Sequence, residues 1–120
     1  MNKKEMQVLI NDIFNEIQDV REEGQKEYAR NSSNAFANFE RIAKLIDVKR
    51  EKVLMTYLFK HIDGIMSYIN GHTSQREDVR GRIKDAICYL CLLWGMVETK
   101  PVATAKVDSP FEEPYYDTKV

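Results

Sequence analysis

Arg76, Arg80, Arg82 and Lys84 lie within nine residues, and Lys60 and His61 sit on the helical segment expected beside them. A guanidinium fork matches two oxygens of a phosphate or carboxylate at once. Helical spacing puts Arg82 on the flank shared by Asp78, Asp85 and Tyr89, so the group can instead form an ion-pair ladder internal to its helix. Tyr57, Tyr68, Tyr89 and Trp94 map near the same hairpin. Aromatic faces beside guanidinium groups suit a nucleobase, although rings at helical spacing also serve as plain core. The pattern therefore admits two readings. In one, Lys60, His61, Arg76, Arg80, Arg82 and Lys84 hold the phosphate of a nucleotide-like ligand, with Tyr57, Tyr68 or Tyr89 against its base. In the other, these residues form a self-paired, solvated helix face.

The acids offer less. A magnesium-dependent phosphohydrolase needs several carboxylates converging on the ion. Of Glu51, Asp63, Glu77, Asp78 and Asp85, only Asp78 and Asp85 share a face, and Arg82 stands between them. No metal or other cofactor is expected; were the chain a hydrolase, Asp63, Asp78 and Asp85 would be its magnesium ligands. There is no nucleophile elbow, P-loop or glycine-rich dinucleotide loop. Cys88 and Cys91 form a Cys-x-x-Cys pair, for which zinc would need both His61 and His72. Their apolar context points instead to two buried, reduced thiols and a cytoplasmic location. Gly64 and Gly81, one on each arm of the hairpin, each cost about 1 kcal/mol of helix propensity and imply close packing or close ligand approach.

Four helices are needed to position these residues. Met6, Leu9, Ile10, Ile13, Phe14, Ile17 and Val20 follow the helical period over 3–29. A polar turn, 30–34, precedes a short helix over 35–46 with Phe36, Phe39, Ile42, Ala43 and Ile46 as its buried stripe. Asp47 is the expected N-cap of a third helix over 48–70, cored by Leu54, Leu58, Ile62, Ile65 and Ile69 and stopped by Gly71. Ser74 and Glu77 have capping-box spacing for the last helix, 74–99. Its stripe is Val79, Ile83, Ala86, Leu90, Leu93 and Val97, with Cys88, Leu92 and Gly95 opposite. The stretch 86–97 has no charge, so more than one side of it should be covered. The short link after Gly71 makes helices three and four antiparallel neighbours. The fold class is thus all-α: a helical bundle of about four helices, with a long antiparallel hairpin of helices three and four.

At 120 residues, with 18 basic and 19 acidic side chains, the chain reads as one domain. The charge balance argues against general affinity for nucleic acid or an anionic membrane, and no run is apolar enough to span a bilayer. Domain organisation is expected as 1–99 for the bundle and 100–120 for an extended C-terminal tail. The tail carries all three prolines and the cluster Pro110-Phe111-Glu112-Glu113-Pro114-Tyr115-Tyr116. Its composition suits a flexible segment, and its aromatic residues suit packing on the bundle or on a neighbouring subunit. The uncharged half of helix four also argues for a homo-oligomer.

Several short motifs carry a resemblance. They are Glu27-Tyr28-Ala29, then Asn38-Phe39-Glu40-Arg41-Ile42-Ala43, then Leu58-Phe59-Lys60-His61-Ile62-Asp63, and finally the run from Arg82 to Leu90. Over 27–97 the chain resembles small all-α proteins of bacteriophages and prophages grouped with nucleotide-modification-associated domains. The helix Asp85-Ala86-Ile87-Cys88-Tyr89-Leu90 is also similar to one in MazG-like all-α NTP pyrophosphohydrolases. That family holds magnesium with Glu-x-x-Glu and Glu-x-x-Asp motifs. Here Arg82 stands three before Asp85, no Glu-Glu-x-x-Glu run occurs in helices two or three, and Glu22-Glu23 is followed by Lys26, so these stretches depart from the family's pattern. The resemblance implies a nucleotide pocket that grips phosphate without hydrolysing it. In a phage setting, such a protein would sequester a nucleotide-derived immune signal of the host, such as a cyclic nucleotide or cyclic ADP-ribose. Two alternatives belong to other classes: a magnesium-dependent nucleotide pyrophosphohydrolase, and a structural or host-factor-binding oligomer using the tail as its adhesive segment.

Overall fold

A computed structural model of the chain describes residues 1–30, 33–72 and 78–99. It is all-helical there: α1 spans Lys3–Tyr28, α2 Ala37–Ile46, α3 Arg50–Ile69 and α4 Val79–Glu98, with no strand among the described residues. The residues of the tail, the Ser74–Glu77 capping box and Arg76 lie outside the described residues.

Several helix ends are fixed by local hydrogen bonds. Asn2 and Glu5 form a reciprocal capping box at the start of α1, each side chain accepting from the other's backbone N–H. Gly71 ends α3 with a left-handed φ of 92°. Its N–H donates to the Tyr68 carbonyl, and that of His72 donates to Ser67, which is the bonding of a Schellman motif.

Two caps differ from expectation. Asp47 does not start α3. It sits at φ 58°, ψ 55° and closes α2, with the Val48 N–H donating to the Ala43 carbonyl at 3.1 Å. A short polar side chain tolerates this conformation, so Asp47 serves a helix end as readily as a start. Lys49 takes the N-cap position of α3 and makes no side-chain capping bond. At α4 the N-cap is Asp78, whose carboxylate accepts the Arg80 N–H at 2.8 Å.

The contacts His61–Asp85, Tyr57–Tyr89 and Arg50–Met96 pair rising numbers on α3 with falling numbers on α4, so the hairpin is antiparallel. α2 packs on α3, and α1 packs on α4. The core gathers Ile17 of α1, Phe39 and Ala43 of α2, Val53 and Leu54 of α3, and Cys88, Leu92 and Met96 of α4. Leu54 and Met96 are completely enclosed. Each contributes about 1.5–3 kcal/mol relative to an exposed position.

The expected stripes are only partly buried. On α4, Ala86 is buried, but Ile83, Leu90 and Val97 are exposed. The side carrying Cys88 and Leu92, read from sequence as the opposite face, is core because α1 lies against it. On α3, Leu54 and Leu58 are buried while Ile62 and Ile69 are exposed. On α1, Ile17 is buried and Met6, Leu9 and Phe14 are exposed; on α2, Ile46 is exposed. Cys91 is also exposed, contrary to expectation, while Cys88 is buried; both are free thiols.

Candidate functional site

The α3–α4 seam brings together four of the nine residues expected to bind ligand: Tyr57, His61, Arg82 and Tyr89. Tyr57 and Tyr89 stack across it with centroids 6.2 Å apart and planes 18° from parallel. Phe39 of α2 meets both rings edge-on. One turn along, the His61 ring lies 5.6 Å from Tyr89. His61 Nε2 is 3.7 Å from Asp85 Oδ2, too far for a direct hydrogen bond and near enough for a charge pair when the imidazole is protonated. His61 is buried, and its Nδ1 makes no hydrogen bond among the described residues.

Arg82 lies across the seam against Gly64. A Cβ on residue 64 would stand 2.5 Å from both Cδ and Nη1 of Arg82. Glycine at 64 is therefore what allows an arginine to cross α3 at this level. Gly81 differs: nothing stands within 4 Å of a Cβ built there, so close packing does not explain it.

The other basic residues are arranged differently. Arg80 turns back on its own N-cap, with Nη1 3.0 Å from Asp78 Oδ2. Lys84 reaches α1, where its Nζ donates to Glu16 Oε1 at 2.9 Å. This contact, followed by the Glu16 charge, raises the Lys84 ammonium above its usual range. Lys60 and Tyr68 are exposed. Arg80 and Lys84 thus take part in ion pairs, as the ladder reading allows, though the partner of Lys84 comes from another helix.

Electrostatics single out Asp85. Burial, then the Asp85 charge, pushes the Tyr89 phenol up to about 12. Tyr28, at the end of α1, is also raised, first by Glu27 and burial and then by Asp85. The Asp85 charge is thus felt by tyrosines on two helices, and its carboxylate lies 3.7 Å from His61 Nε2. Tyr28 was not among the expected site residues, since the step from α1 to α4 is not visible in local spacing.

Among the described residues, no three His, Cys, Asp or Glu side chains are grouped so that they could hold a metal ion. Asp78 caps α4 and Asp85 faces His61, so the set Asp63, Asp78 and Asp85 does not fit a magnesium centre. The described cavities lie elsewhere. An open groove of about 600 Å³ between α1 and α4 is lined by Phe14, Ile17, Arg21 and Cys91. A smaller one of about 210 Å³ adjoins Arg21, Phe36, Cys91 and Gly95. None of the expected ligand residues lines either groove.

A second polar residue escaped the sequence reading. Arg50 is 5% exposed and donates to Glu40 Oε2 at 2.7 Å and to the Thr99 carbonyl at 2.8 Å. Its guanidinium carbon also stands 4.9 Å over the Phe36 ring. It ties α2 and α3 to the C-terminal end of α4, where a cation also suits the helix dipole.

Comparison with family models, curated proteins and solved structures finds no match to this chain. No described helix is long and apolar enough to cross a membrane.

Proposed function

We propose that the protein is a non-catalytic binding protein that holds a phosphorylated nucleotide or nucleotide-derived signal at the α3–α4 seam. The observation that carries this reading is Arg82 laid over Gly64 beside His61, whose buried Nδ1 has no partner among the described residues. An unmade hydrogen bond on a buried polar atom costs about 1–3 kcal/mol, a cost more often met at a working site than in a packed core. A bound phosphate would accept from His61 and from the Arg82 fork. Tyr89 and Tyr57 would offer ring surface to a base. Arg80 and Lys84, already in ion pairs, would screen the approach of the anion without gripping it. A nucleotide-like molecule is the partner; in a phage setting, its capture would deplete an immune signal of the host.

The hydrolase alternative gains no support, because its three carboxylates are not grouped around one point. The test is to incubate the purified protein with a panel of linear and cyclic nucleotides, remove free ligand, denature, and identify what was retained. The reading expects one class retained intact, with retention lost in Arg82→Ala at unchanged helix content. Recovery of a cleaved product would transfer the protein to the enzymes, and retention of nothing would end the nucleotide reading.

A further inference from the structure

Among the described residues, the α3–α4 hairpin is covered on one side only. α1 and α2 pack on that side through Ile17, Phe39 and Ala43. About a quarter-turn from the buried Leu54 and Leu58, helical spacing aligns Phe59, Ile62, Met66 and Ile69 on α3. The corresponding line on α4 holds Ile83, Leu90, Trp94 and Val97. Because the helices are antiparallel, both lines fall on the same side of the hairpin, away from α1 and α2. All eight residues are exposed, from 40% at Ile62 to 71% at Trp94. No charged residue interrupts either line. The Trp94 Nε1 donates to Glu98 at 3.2 Å, so the indole has a polar partner and can bury its rings.

We propose that this face is a homodimer interface, in which the α3–α4 hairpin packs on the same hairpin of a second copy. Size is the first argument. Taking about 200 Å² for each fully open side chain of this kind, the face presents on the order of 800–900 Å². That exceeds the largest apolar patch of an ordinary monomer, about 300–600 Å², and matches the roughly 800 Å² each partner buries in a standard interface. Shape is the second. The face is two helices wide, with axes some 8–10 Å apart, so a single partner helix would leave one line uncovered. A second hairpin supplies two helices and completes a four-helix layer pair. Charge is the third. A two-fold axis sets each face against its own copy, and two uncharged faces meet without like-charge repulsion.

The inference is independent of the seam reading, since Phe59 and Leu90 lie outside that site. Light scattering on the full chain at tens of micromolar should give twice the chain mass. Because both residues are exposed in the single chain, Phe59→Glu and Leu90→Glu should keep the helix content. Each should raise the dissociation constant roughly 100-fold or more, as expected when a central interface position is charged. Phe14→Glu, on the exposed side of α1, should leave the dimer intact. Trp94, the sole tryptophan, gives a readout without mutation: its emission should shift to the red as the wild-type dimer dissociates on dilution. A monomeric wild type at 100 μM would overturn the proposal. So would a dimer indifferent to both glutamates, or one whose Trp94 emission is the same before and after dissociation. Nucleotide retention in the same variants tests the seam reading separately.

Discussion

Arg82 rests on Gly64 so closely that a methyl group on residue 64 would stand 2.5 Å from its side chain. One helix of the hairpin supplies the guanidinium and the other supplies the space. In Gly64→Ala the neighbour that must give way is a flexible side chain, so Arg82 moves before the backbone does. Alanine also gains about 1 kcal/mol of helix propensity. Denaturant unfolding should therefore show stability within about 1 kcal/mol of wild type. Ligand retention should fall as far as in Arg82→Ala, with little further loss in the double variant.

Arg50 should matter more for stability than any other charged residue described here. Arg50→Ala leaves Glu40 and the carbonyls of Met96 and Thr99 without their shared donor. A loss of about 3 kcal/mol follows, seen as a lower urea midpoint at unchanged slope. Arg50→Lys should recover less than half, because an ammonium cannot span Glu40 and Thr99 as the planar fork does.

Tyr89 sets an alkaline limit. Its phenol titrates at about 12 in the fold and near 10 when unfolded. Between those values the unfolded chain has lost a proton that the folded chain keeps, so stability falls as pH rises from about 10 towards 12. In Tyr89→Phe this part of the decline should be absent. Absorbance titration of the native protein should likewise show a tyrosine ionising at about pH 12 that is missing from the variant.

Asp78 is held below its usual carboxylate range, first by the hydrogen bond it accepts from the Arg80 N–H. The cap is therefore present above the ordinary aspartate pKa and is lost as pH falls through its depressed value. The protection factor of the Arg80 amide should fall in Asp78→Ala. It should also fall in the wild type as pH drops through the Asp78 pKa, and be kept across that range in Asp78→Asn, which caps without titrating.

The two thiols should separate chemically. Cys91 is open, whereas burial both shields Cys88 and raises its thiol pKa. A disulfide reagent should modify one thiol per chain quickly at pH 8, and Cys91→Ser should remove that fast phase.

The helices and the hairpin were readable because they depend on local period and short links. The third helix was expected over 48–70 and is found over Arg50–Ile69. Which side of a helix is buried depends on the neighbours it meets, and this was harder to read. The α4 line through Leu90 and Val97 has the same period as a core stripe, yet α1 sits on the Cys88–Leu92 side instead. Asp47 fits either end of a helix, and only the hydrogen bond from Val48 to Ala43 decides between them. Within the site, the meeting of α3 with α4 followed from the expected antiparallel pairing. Tyr28 and Arg50 act on residues 57 and 49 positions away, respectively, and no local spacing carries that information.

The grip of Arg50 on the Thr99 carbonyl has a consequence for where the folded body can be cut. Cleavage of the peptide bond after Thr99 would turn that acceptor into a carboxylate facing a sheltered guanidinium. Severing the last 21 residues would thus replace a neutral bond with a charged one. Arg50 would then hold the end of α4 more firmly than it does in the intact chain.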